Sequence, residues 1–193
     1  TDRDSLFNLL EEKKRVLEST ENPVESSVYS MAMATMYYNY YNSNRYSIDD
    51  RTHIEGDAPA DMREWSRQNF KDTISWYIEK ALYNQKALLD APTSEYRENI
   101  TEGRDSIFTP TMYDILVNRA INMVADDSAT VNDLYARLIK AHKNDTIVRD
   151  AAQFRQYLYN RNLNDDECPA GFADSYKTTP LYVYVKGYEL NHC

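Results

Sequence analysis

The chain has 193 residues, 42% of them apolar and 27% charged, with a formal net charge of −9. That length suits one ordinary domain with a sizeable core, and the balance excludes disordered, collagenous and membrane-spanning chains. Four glycines and six prolines against seventeen tyrosines supply too few turns for a many-stranded sandwich or barrel, so an all-α fold is expected.

The first helix is expected over Asp4 to Ser19, where Leu6, Leu9, Leu10 and Leu17 recur at helical spacing opposite Glu11, Glu12, Lys13, Lys14 and Arg15. Asn22-Pro23 opens the second, with Glu25 placed for a capping box, and it runs to about Asn42. Its body is apolar or aromatic nearly all round, as for a helix packed between neighbours. Residues 44 to 60 read as an irregular connection ending at Gly56, Asp57 and Pro59. Asp61 and Glu64 then open one long helix through about Leu89, which Pro92 stops, and a short helical turn follows at Ser94 to Asn99.

Thr109-Pro110 reads as a second cap-plus-proline start, for a helix carrying Met112, Leu116, Ala120 and Met123. Two helices, Thr130 to Lys143 and Asp145 to about Asn162, are joined by a residue or two, which forces an antiparallel hairpin. After an acidic loop (Asn164 to Glu167), Thr179-Pro180 begins a final helix with Leu181, Val185, Tyr188 and Leu190. The expected architecture is a single helical domain of antiparallel hairpins stacked as a degenerate, tetratricopeptide-like α-solenoid or α-α superhelix. The chain starts at Thr1 rather than Met, and its last helix is still apolar. It is therefore expected to be cut from something longer, with a leader, anchor or tag removed.

The four glycines (Gly56, Gly103, Gly171, Gly187) are scattered, so neither a P-loop nor a dinucleotide fold is built. The negative charge, with 22 Lys and Arg dispersed among acids, argues against nucleic acid as a partner. His53, His142 and His192 show no metal-ligand spacing, and His142 lies on an apolar helical face as a core or boundary histidine. No Gly-x-Ser-x-Gly elbow occurs, and the pairs Asp49-Asp50, Asp126-Asp127 and Asp165-Asp166 sit at helix ends or in loops. No cofactor, metal or catalytic site is expected. Cys168 and Cys193 are free thiols, or one bridge in an oxidising compartment. The aromatics, Tyr37, Tyr38, Tyr40, Tyr41, Trp76 and Tyr77 among them, suit core filling, with Tyr46 and Trp65 as the exposed exceptions.

Two segments carry a resemblance. Tyr37-Tyr-Asn-Tyr-Tyr-Asn-Ser-Asn-Arg-Tyr46, followed by Asp50-Arg51-Thr52 and Arg63-Glu-Trp65, is similar to a segment in the N-terminal helical region of large alpha-2-macroglobulin-like proteins of Bacteroidetes. Thr109-Pro-Thr-Met-Tyr-Asp-Ile-Leu-Val-Asn-Arg-Ala120 resembles a second signature of that family, in the same order. The pattern departs at Tyr46, where Trp is commoner, and at Asn118, where His is frequent. The family's thioester signature Cys-x-Glu-Gln is missing, since Pro169, Ala170 and Gly171 follow Cys168 and no Glu-Gln dipeptide exists.

The resemblance implies a non-catalytic helical scaffold of a protease-trapping protein outside the cytoplasm, in the periplasm or at the bacterial surface, whose parent is often lipid-anchored. Its partner would be another protein or the remaining domains of the same parent chain. Arg45, Tyr46, Arg51 and Trp65 are the candidate partner contacts, and Pro110, Tyr113, Asp114 and Arg119 are packing residues. The aromatic richness suggests an alternative, a SusD-like helical lipoprotein whose exposed rings stack on glycans.

Overall fold

The computed structural model describes residues 2–53, 56–96, 108–164, 172–179 and 181–192. Their regular structure is helical throughout, with one isolated antiparallel bridge between Pro92 and Thr111. None of the described helices is long and apolar enough to cross a membrane. Cys168 and Cys193, the acidic residues Asp165 to Glu167, Pro180 and the 97–99 end of the expected helical turn lie outside the described residues. The chain divides into two compact units where one domain was expected.

Unit 1 comprises residues 1–95 and 111–123. Helix α1 (Asp2–Ser19) leads to α2 (Pro23–Ser43). The Asn22 side chain accepts from the backbone N–H of Val24 (2.9 Å) and Glu25 (3.3 Å), which satisfies donors that would otherwise be orphaned. Helix α2 touches α1, α3 (Arg45–Asp49), α4 (Arg67–Leu82), α5 (Gln85–Leu89) and α6 (Met112–Met123). That many neighbours require apolar residues around most of its circumference. Met33 and Ala34 on α2, Ile48 on α3, Phe70 on α4, Leu88 on α5 and Val117 on α6 are fully buried, each large apolar side chain contributing about 1.5–3 kcal/mol.

Three expectations change here. The connection 44–60 contains α3, anchored by Ile48. The single helix expected over 61–89 is three pieces: a 3-10 turn at Met62–Glu64 capped by Asp61, then α4, then α5. Ser66 and Asn69 form a reciprocal capping box that restarts the chain as α4. Asn84, outside helical geometry at φ −84° and ψ 44°, separates α4 from α5. Helix α6 begins at Met112, after Thr109-Pro110, because the Thr111 backbone N–H and hydroxyl both donate to Asp114, each at 2.8 Å.

Unit 2 comprises residues 96–110 and 124–193. Asp127 caps α7 (Ser128–Ala141) by accepting from the Thr130 N–H, and Asp145 caps α8 (Thr146–Asn164) by accepting from Ile147 and Val148. Asn132, near the start of α7, meets Gln156 and Asn160 in the second half of α8, as an antiparallel hairpin requires. His142 is buried at the C-terminal cap of α7. A 3-10 turn at Phe172–Tyr176 precedes α9 (Tyr182–His192), which starts later than the expected Thr179-Pro180. Phe154 is fully buried in a core with Phe108, Ala151, Ala173, Leu181 and Val185.

Candidate functional site

The first candidate surface is built where α2 ends. Asn44 closes α2 by donating to the Tyr40 carbonyl from both its backbone and its side chain, and the chain turns directly into α3. The Tyr41 hydroxyl donates to Asp49 Oδ1 at 2.7 Å, and Arg45 Nε donates to Asp49 Oδ2 at 3.1 Å, one helical turn away. The Tyr41 hydrogen bond, and behind it Arg45, hold the Asp49 carboxyl below its ordinary value. With Ile48 buried and Asp49 tied down, α3 presents Tyr46 to solvent at 94% exposure.

Arg51 donates from Nη1 to the Trp65 carbonyl at 3.0 Å and to the Arg63 carbonyl. It clips the connection to the segment that enters α4. Gly56, at φ 120°, takes a backbone conformation in this connection that L side chains rarely adopt. Trp65 is half-buried, its indole N–H donating to the Pro59 carbonyl at 2.6 Å and its ring stacked on Tyr37 at 5.4 Å. The structure thus joins Arg51 to Trp65 and sets Arg45 beside Tyr46. Tyr46 faces solvent, whereas Trp65 is chiefly a packing element.

Beside Trp65, and among the described residues, His53 Nδ1 lies 3.0 Å from Ser66 Oγ, a base next to a hydroxyl. Asn69 Oδ1 only accepts, and it receives the Ser66 N–H at 3.0 Å and the Ser66 hydroxyl hydrogen at 2.7 Å. With the Ser66 hydroxyl hydrogen directed to Asn69 Oδ1, the contact with His53 fits the tautomer that carries its proton on Nδ1. Among the described residues, no group of three His, Cys, Asp or Glu side chains is placed to hold a metal ion.

The second candidate is α6. Tyr113 and Asp114 are buried, and the Asp114 carboxylate is occupied by Thr111. Asn118 donates to the Asp114 carbonyl at 2.8 Å, and Arg119 Nε donates to Thr35 Oγ1 on α2 at 3.1 Å. The Met112 N–H donates to the Ala91 carbonyl at 2.9 Å. Tyr113, Asp114 and Arg119 therefore secure α6 within unit 1, while Pro110 groups with unit 2.

Sequence reading missed two features of these surfaces. The Tyr41–Asp49 bond spans eight residues and two helices, so helical periodicity carries no sign of it. Trp76 and Tyr83, on and just after α4, are 57% and 85% exposed, on the side of the helix away from Phe70, Ile74, Tyr77 and Ala81, so helical spacing, not residue type, carried the signal. No family model matches this chain, and no curated protein or solved structure matches it either.

Proposed function

We propose that this chain is a non-catalytic helical scaffold and protein-interaction module of an alpha-2-macroglobulin-like, protease-trapping protein held outside the cytoplasm. The observation that carries this reading is the use of the Thr109–Ala120 motif. Its polar groups, on Asp114, Asn118 and Arg119, are engaged in hydrogen bonds inside the fold, as expected of residues that shape a scaffold. The α7–α8 hairpin is the kind of unit from which stacked helical arrays are built. In this reading α3, with Arg45 and Tyr46, faces the partner, since exposed Tyr and Arg are the side chains that most often anchor protein interfaces.

The test is to translate the gene on both sides of this segment and delete residues 1–193 from the parent. Macroglobulin domains in the parent are expected, with bait cleavage retained and envelope anchoring or partner retention lost on deletion. A parent without such domains, or a deletion that changes nothing, refutes the proposal.

Tyr46, Trp76 and Tyr83, all solvent-facing, support a second reading as a SusD-like glycan-binding module. Retarded migration in polysaccharide affinity gels that is lost in Trp76→Ala would establish it, and unshifted mobility across a glycan panel would dismiss it.

A further inference from the structure

We propose that unit 1 carries a one-electron relay running from the surface ring of Trp76 to the Tyr41–Asp49 pair. This inference is independent of the proposed function. The path consists of rings in contact. Trp76, 57% exposed, meets Tyr77 at 4.7 Å between ring centroids. Tyr77 stacks on Tyr37 at 5.7 Å, and Tyr37 stacks on Trp65 at 5.4 Å. Phe70 then bridges Trp65, at 5.1 Å, to Tyr41, at 5.9 Å. Indole and phenol rings give up an electron far more readily than a benzyl ring or an aliphatic side chain. Phe70 does not, and it serves only as the medium between the last two.

What distinguishes this series from ordinary core packing is the chemistry at its two ends. The entry ring is open to solvent, so an oxidant can reach it, whereas Tyr77 and Tyr37 are 7% and 4% exposed. At the far end the Tyr41 hydroxyl already donates to a carboxylate, Asp49 Oδ1, at 2.7 Å. A phenol becomes strongly acidic when it loses an electron, so a hydrogen-bonded carboxylate that takes the proton makes that phenol the easiest in the series to oxidise. Core filling requires neither an exposed entry nor a proton acceptor.

A one-electron oxidant in solution, such as a ruthenium(III) polypyridyl complex, removes one electron from the Trp76 indole. An electron from Tyr41 refills that vacancy through the intervening rings. The Tyr41 O–H bond breaks, its proton passing to Asp49 and leaving a neutral phenoxyl radical. The net change is one reduced oxidant, one phenoxyl and one protonated carboxylate, with Trp76 restored.

Laser flash-quench oxidation of the full chain, followed by transient absorption, tests the relay. The indole-radical signal is expected to decay as the phenoxyl signal grows, with one shared first-order rate that dilution leaves unchanged. Tyr41→Phe keeps the ring and should leave the indole radical several-fold longer-lived, while Asp49→Asn should slow phenoxyl growth several-fold. Trp76→Phe should shrink the indole phase, because Trp65, half-buried, is the less accessible of the two indoles. A phenoxyl rate that scales with protein concentration, or one unaltered in both Tyr41→Phe and Asp49→Asn, overturns the relay. The dilution series uses the unmodified chain and decides the matter even where a variant fails to fold.

Discussion

Units 1 and 2 both close their cores with aromatic rings, tyrosine and phenylalanine foremost, but arrange them differently. Unit 1 mixes the two arrangements: Tyr37 stacks on Trp65 at 14° and on Tyr77 at 21°, and Tyr40 on Phe70 at 25°, while Trp65 meets Phe70 at 61° and Trp76 meets Tyr77 at 83°. In unit 2 Tyr176, Tyr184 and Tyr188 meet Phe154 nearly edge-on, at 71°, 86° and 87°. Aromatic pairs accept both arrangements, offset-stacked and edge-to-face. Tyr37 and Tyr40 on α2 stack on Tyr77 and Phe70 of α4, whereas Phe154 on α8 is met edge-on by rings from the 3-10 turn and α9. The units also differ in how they use polar groups. Unit 1 buries the Ser27 and Ser30 hydroxyls on α2 without a hydrogen-bond partner among the described residues. Unit 2 joins α7 to α8 through the mutually bonded amides of Asn132, Gln156 and Asn160.

The largest way to break this comparison is to empty one core. Phe70→Ala is expected to remove about 3–5 kcal/mol from unit 1, with amide hydrogen exchange accelerated in α2 and α4 and unchanged in α7 and α8. Faster exchange in α7 and α8 as well would mean that the two units unfold as one. A smaller loss, about 1–3 kcal/mol, is expected in unit 2 from Asn132→Ala, which strips the Gln156 and Asn160 amides of a shared partner. Chemical denaturation measures it, and a stability equal to the unmodified chain would show that water replaces the lost bonds. Removing the α7 cap with Asp127→Ala should cost about 1 kcal/mol by the same method.

Acid sharpens the contrast at α3. Because the Asp49 carboxyl is depressed below its ordinary 3.8, its contribution is fully present above that value and is lost as pH falls through the folded-state value. An NMR titration of the Asp49 carboxyl should show a low midpoint that moves up toward 3.8 in Tyr41→Phe. A midpoint unmoved by that substitution would assign the depression to Arg45 instead. The smallest effect belongs to Ser30→Ala. Deleting a buried hydroxyl that bonds nothing should be neutral or slightly stabilising, and a clear loss of thermal stability would reveal a bound water there.

Much of the fold is legible because its signals are local. Asn22-Pro23 starts α2 for reasons contained in four consecutive residues, and the α7–α8 hairpin follows from periodicity on both sides of a short turn. The break between α4 and α5 is less legible. Its apolar residues keep helical spacing across Asn84, and only the packing of both pieces against α2 and α6 accompanies the interruption. The start of α6 misleads in the other direction. Thr109-Pro110 has the form of a cap, but Thr111 with Asp114 three residues on forms the operative one.

The candidate surfaces divide along the same line. That Tyr46 would be exposed was readable from residue type. That Trp65 is half-buried and that His53 meets Ser66 at 3.0 Å were not.

That this protein is all-helical, and where most of its helices begin, follows from local chemistry, because caps, prolines and 3.6-residue periodicity act within a few residues of each other. Only the tertiary structure decided that the chain gathers into two units, which rings stack or meet edge-on, and which tyrosine finds a carboxylate. Those outcomes depend on contacts between residues far apart in the chain, and a one-dimensional pattern carries no distance between them.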